Sequence, residues 1–233
     1  MNPPLPLRAT NFPLVIPPER AEAFSVKLLP IIAVLLMFAC TAGAAKLGQD
    51  TWKEDKKNAN LSSLRFWTYL TKATDGQVVE EKGKRFVRLK DGAKLQSVNV
   101  AAYGDMIELS GIFDLTSPAG SGGFGFIDFS SSLYYYAYWD KAKGRVILQR
   151  GDGDNSTVLA EAAATPGSPA RFHLTADFKT KNRVRLALQV DGKDLLKAED
   201  ERPEKLGATY QIYVGISPDA VVDLYEMTTV TSR

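Results

Sequence analysis

Between residues 172 and 178, Phe172, Leu174, Ala176 and Phe178 alternate with His173, Thr175 and Asp177. Val184, Leu186, Leu188 and Val190 then alternate with Arg183, Arg185 and Gln189. A period of two sends successive side chains to opposite faces of a strand, so both segments predict half-buried antiparallel strands. The same patterning predicts strands over 66–69, 77–81, 85–89, 95–100, 106–115, 124–129, 134–139, 145–150, 158–162, 210–216 and 223–229. Asp75-Gly76, Lys82-Gly83 and Asp91-Gly92 separate the early ones and favour tight turns, because glycine enters positive φ without a Cβ clash. Residues 117–123 read as a glycine-rich loop, and 162–170 as a small-residue connection. No helical period interrupts the series, which makes the fold class all-β: an antiparallel two-sheet sandwich of jelly-roll type.

The N-terminal segment changes that picture. Residues 28–40 form an apolar run after Lys27, followed by Thr41-Ala42-Gly43-Ala44-Ala45. The run is short of the roughly 20 residues a membrane-spanning helix needs, and it reads as a signal-peptide core with Ala42-Gly43-Ala44 as the cleavage site. The proline-rich stretch before it exceeds a usual charged leader, so translation is expected to start at Val26. Cys40 ends the apolar run where a lipoprotein signal carries its acylated cysteine, although Met37-Phe38-Ala39 departs from the usual preceding residues. Lipidation at Cys40 and simple cleavage are both open. The expected organisation is a leader and signal segment over 1–45, a polar lead-in over 46–63 that packs onto the sandwich edge, and the sandwich itself over 64–233. The expected localisation is outside the cytoplasm: periplasmic, extracellular or anchored to the outer membrane.

With 233 residues, 45% of them hydrophobic, the chain is long enough to bury a full sandwich core. A net charge of +2, from 29 basic and 27 acidic side chains, lacks the basic excess of a nucleic-acid binder. One cysteine leaves no intrachain disulfide, and one histidine gives little support to a multi-histidine metal site or a serine-histidine triad. No cofactor is expected.

The succession GFGFIDFSSSLYYYAYWD, GRVILQR, RFHLTADF, VRLALQVDGKDLL and GATYQIYVGIS, closed by VDLYEMTTV, resembles the concanavalin A-like lectin/glucanase superfamily. Within it the chain is most similar to laminin-G-like modules and to the 3-keto-disaccharide hydrolase-like domains of secreted bacterial proteins. The resemblance covers 64–233 and implies a hairpin at Val190-Asp191-Gly192 and a last strand that returns to the start of the domain. It rests on turns and core positions, which specify fold more than function.

Candidate chemistry centres on Tyr134-Tyr135-Tyr136-Ala137-Tyr138-Trp139, since aromatic faces stack on the apolar faces of sugar rings. An odd-numbered loop around Gly144 puts Tyr136 and Tyr138 in the core with Val146 and Leu148; Tyr135 and Trp139 then share the outer face with Arg145 and Gln149. An even loop reverses this. The odd register makes Tyr135, Trp139, Arg145 and Gln149 the expected ligand-binding set. Gly151-Asp152-Gly153-Asp154-Asn155 is oxygen-rich as calcium prefers, yet it lacks EF-hand spacing and reads equally well as a hairpin loop, so no metal site is assigned. Glu108, Asp114, Asp128 and Asp140 are the acids available for the carboxylate pair of a glycosidase, and the Glu-x-Asp-x-x-Glu strand of the related glucanases is absent. His173 reads as a surface residue and not a general base. The expected function is a secreted or lipid-anchored carbohydrate-binding or interaction module without its own catalysis, with a carbohydrate or cell-envelope glycan as partner. Its rivals are a glycoside-processing hydrolase of the 3-keto-disaccharide hydrolase-like type and a structural envelope protein.

Overall fold

The computed structural model describes residues 45–98, 101–102, 104–128, 131, 133–152, 155–201 and 209–232. The signal segment and Cys40 lie outside the described residues. The strands are β1 (Ala45–Asp50), β2 (Trp67–Tyr69), β3 (Gly76–Glu81), β4 (Lys84–Leu89), β5 (Lys94–Ser97), β6 (Ala101–Ala102), β7 (Met106–Leu115) and β8 (Ser121–Asp128). They continue as β9 (Leu133–Asp140), β10 (Arg145–Asp152), β11 (Asn155–Ala163), β12 (Ala170–Asp177), β13 (Val184–Val190), β14 (Lys193–Asp200), β15 (Thr209–Ile216) and β16 (Val222–Ser232). All pair antiparallel, in two sheets of eight. Sheet A runs β14-β13-β12-β7-β16-β4-β3 with β1 also on β16; sheet B runs β11-β10-β9-β8-β15-β5-β2 with β6 also on β15.

The inner faces meet in one aromatic and aliphatic core. Phe113 and Phe172 of sheet A pack edge-on at 4.9 Å, and Phe113 meets Phe124 of sheet B at 6.4 Å. β7 buries every second residue along its whole length, as its alternation predicts. Two-residue hairpins at Lys82-Gly83 and Asp191-Gly192 have positive φ at both positions, the backbone whose twist matches the flanking strands. Asp75-Gly76 behaves differently. The Asp75 carboxylate accepts from the Lys72 amide and closes a short 3-10 turn, while Gly76 is extended.

Three segments depart from the sequence reading. β14 follows the Asp191-Gly192 hairpin directly; as a charged edge strand on a register-shifted pairing with β13, it carries no clean alternation. Ser121, Gly122 and Gly123 belong to β8 and not to a loop, because a Cβ at Gly123 would collide with the Ala137 carbonyl on the neighbouring strand. The segment 46–63 is part of the sandwich: β1 pairs with β16, and Trp52 and Leu61 are fully buried in the core. Asp50 holds the entry, accepting from the Trp52 amide and from the Trp67 indole, each at 2.8 Å.

Candidate functional site

The turn between β9 and β10 decides which aromatics face outward. Asp140 pairs with Arg145, so residues 141–144 make an even loop and the register opposes Val146 to Trp139, Leu148 to Ala137 and Arg150 to Tyr135. Tyr135 (0% exposed) and Trp139 (5%) therefore lie in the core, and the expectation that they stack on a ligand is corrected. The physical reason is the pleat: Val146 and Leu148 belong inside, and their partners go with them. Arg145 stands exposed at the rim, ion-paired to Glu161. Gln149 is opposite Tyr136 on the outer face and remains in the candidate site.

Tyr135 has a structural task instead. Its hydroxyl donates to Asp200 Oδ2 at 2.7 Å, and Arg150 donates to Asp200 Oδ1 at 2.7 Å. This three-member network joins β9 and β10 of sheet B to β14 at the edge of sheet A.

The outer face of sheet B carries Tyr134, Tyr136 and Tyr138 from β9 and Tyr213 from β15. Glycines underlie them. Gly125 lies in register between Tyr213 and Tyr136, and Gly123 between Gly215 and Tyr138. Tyr136 stacks on Tyr138 at 5.5 Å, Tyr213 meets Tyr136 edge-on at 5.6 Å, and the Tyr136 hydroxyl donates to the Gly215 carbonyl. The Tyr134 ring occupies the space a Cβ on Gly151 would need. The result is a depression of about 250 Å³, lined by these rings, Gln149 and Ser121. A transverse row of residues extends it. From Tyr136 the register passes through Gln149 to Val158 in one direction, and through Gly125, Tyr213 and Gln96 to Thr68 in the other. The row crosses seven strands, about 29 Å at the usual spacing.

Sequence reasoning missed this tyrosine set because the hairpin parity was read the other way. The signal was present in Ala137, the one small residue of the aromatic strand, which sits between buried neighbours, and in the alternation Gly123, Gly125 on β8.

Burial holds several of these phenols neutral. It pushes Tyr136 well above its ordinary value, raises Tyr138 with Asp140 adding to the effect, and moves Tyr213 up to about 12 with help from Tyr134. In the core, burial first and then the Asp200 carboxylate raise Tyr135. The folded chain thus keeps protons that the unfolded chain releases near 10, the ordinary value of a phenol. The stability these groups contribute is fully present below pH 10 and is lost as pH rises through the elevated range. Tyrosinate absorbance during an alkaline titration should lag behind that of the denatured chain, with unfolding above about pH 10; superimposable titration curves would contradict the burial.

The candidate acids do not converge on one surface. Glu108 and Asp114 are on the outer face of sheet A, six residues apart on one strand and so about 20 Å apart. Asp128 is buried (2% exposed) and accepts from the Ser131 amide, and Asp140 lies at the rim of the tyrosine face, paired with Lys143. Asp114 does have a carboxylate partner, since β16 places Asp223 opposite it. Both Asp223 oxygens accept from Arg88, at 2.7 and 2.8 Å, and the side chain is buried, so this carboxylate is held as the partner of a guanidinium. His173 lies on the outer face of sheet A, half-buried, with Ser110 at 2.7 Å from Nδ1. Gly153 and Asp154 of the oxygen-rich turn lie outside the described residues. A broader open groove of about 760 Å³ on sheet A has mixed charge, its lining including Lys84, Arg85, Arg171, Glu80 and Glu226.

No family model and no curated protein matches the chain. Solved structures do. An endo-acting O-glycanase structure from human gut microbiota, described as initiating mucin breakdown, aligns at 12% identity over 81% of this chain and 100% of that chain, with a TM-score of 0.58. A glycosyl hydrolase family 16 protein from Mycobacterium smegmatis aligns at 11% identity over 79% and 100%, with a TM-score of 0.53. The carbohydrate recognition domain of Emp47p aligns at 14% identity over 78% and 97%, with a TM-score of 0.51. These likenesses are of fold, and the fold is the concanavalin A-like sandwich.

Proposed function

We propose that this chain is an exported carbohydrate-binding module whose contact surface is the tyrosine face of sheet B. The observation that carries the reading is the row of outward phenol rings over a glycine floor: Tyr134, Tyr138 and Tyr213 are partly exposed, and their ring faces are supported from below and beside. Rigid aromatic area of this kind stacks on a pyranose ring at little entropic cost. That two of the three fold relatives named above are described as glycan-cleaving enzymes and one as a carbohydrate recognition domain supports a sugar ligand. Binding without cleavage is favoured because the acids around the depression are engaged, Asp140 with Lys143 and Glu161 with Arg145 in ion pairs and Asp219 with the Ser217 hydroxyl. Export rests on the apolar run at 28–40 and the small residues after it, with Cys40 as the point of lipid attachment if the module is anchored.

The test is binding of purified protein to a polysaccharide panel by affinity electrophoresis and calorimetry. Tyr138→Ala, at a half-buried outer position, is expected to lower affinity about tenfold or more while circular dichroism stays at the parent spectrum. Undiminished binding by a folded Tyr138→Ala protein would move the site elsewhere. Sugar release that persists in purified protein would favour the hydrolase.

A further inference from the structure

We infer that the tyrosine face selects uncharged glycan chains and rejects chains bearing carboxylate or sulfate groups, an inference that rests on the sugar-binding reading of this face. Register fixes which side chains can touch a ligand there. In the central row the side chains are Thr68, Gln96, Tyr213, Tyr136, Gln149 and Val158, with no ionisable group other than phenols. The next row, on the Tyr134 side, has Gln211, Ile127, Tyr134, Gly151 and Ser156, again without a carboxylate or a cation. Among the described residues, charge enters at the periphery, where Asp219 accepts from the Ser217 hydroxyl on the lining. Lys94 and Glu161 close the two ends of the row through Tyr138, and Asp140 and Arg145 sit one row farther out. Of these, Asp140, Arg145 and Glu161 are in ion pairs. At the β2 edge, Arg65 lies over the Phe66 ring and is paired with Glu54.

A carboxylate or sulfate laid over the two central rows would lose hydration with no cation to replace it, which costs more than burying a neutral hydroxyl that finds a partner. Hydroxyls do find partners there. Among the described residues, the Gln149 amide and the hydroxyls of Tyr134, Tyr138 and Tyr213 make no hydrogen bond within the chain, while Tyr136 is tied to Gly215. An amide and a phenol each both donate and accept, which suits a sugar hydroxyl that does the same. The length of the row adds that several sugar units of an extended chain touch it at once.

The experiment sets neutral polymers (β-glucan, xylan, galactomannan) against acidic ones (polygalacturonate, alginate, chondroitin sulfate) in affinity gels with the full chain. Retardation by a neutral polymer, by none of the acidic ones, and with affinity changing less than about twofold over a tenfold rise in salt supports the inference. Gln149→Lys places a cation in the central row at a half-buried outer position; it is expected to gain retardation by an acidic polymer while keeping the parent circular dichroism. Retardation of the parent chain by an acidic polymer, lost in Tyr138→Ala, overturns the charge selectivity and leaves the sugar site standing. Absence of binding to both classes, or binding indifferent to Tyr138→Ala, removes the sugar site and this inference with it.

Discussion

Replacing Asp200 with alanine is expected to lower the unfolding free energy by about 3–5 kcal/mol, the usual cost of removing one partner from a buried ion pair. The Asp200 and Arg150 side chains are 7% and 17% exposed, so the guanidinium left behind has little access to water. Tyr135 would lose its acceptor in the same substitution. Tyr135→Phe should cost less, about 1–2 kcal/mol, since the carboxylate keeps Arg150 and loses only one donor. Urea denaturation of the two variants gives the ordering. An Asp200→Ala protein within 1 kcal/mol of the parent would show that water reaches Arg150 and that the network does not join the sheets as described.

Gly125→Ala is expected to destabilise by about 3 kcal/mol, at the upper end of ordinary overpacking, lowering Tm by very roughly 10 °C in a domain of this size. The added Cβ would fall on the Tyr135 carbonyl, and a backbone atom in a ladder has no rotamer by which to move aside. Gly215→Ala makes the contrasting case. Its nearest neighbours would be the hydroxyl ends of Tyr213 at 3.0 Å and Tyr136 at 3.3 Å, which can shift. That variant should unfold near the parent temperature and bind glycan less well, since the floor of the depression would rise. If thermal scans find Gly125→Ala as stable as Gly215→Ala, the close approach of β8 to β9 is wrong.

The fold was legible wherever one face of a strand is buried. β7, β12 and β13 announce themselves by strict alternation, and the Lys82-Gly83 and Asp191-Gly192 turns by their need for positive φ. The edge was not legible. β14 has charges at Lys193, Asp194, Lys197, Glu199 and Asp200, and β1 is a stretch of mixed polarity whose partner is the far end of the chain. The candidate site was half legible: the aromatic strand and Gln149 do line the depression, and the parity of one hairpin exchanged the strand's faces. Where five of six consecutive residues are aromatic, both faces of the strand look alike, and only the loop length at 141–144 separates core from surface. Tyr213 was hidden for another reason. It reaches the site across β8, and that adjacency exists only in the strand order.

The pairing of β1 with β16 sets how the module responds to a load. Ala45 lies opposite Thr231, so the first and last described strands begin and end at the same point of the sheet. Force applied through those two ends would peel the ladder open one hydrogen bond at a time, from Ala45 toward Asp50, rather than shear all of its bonds together.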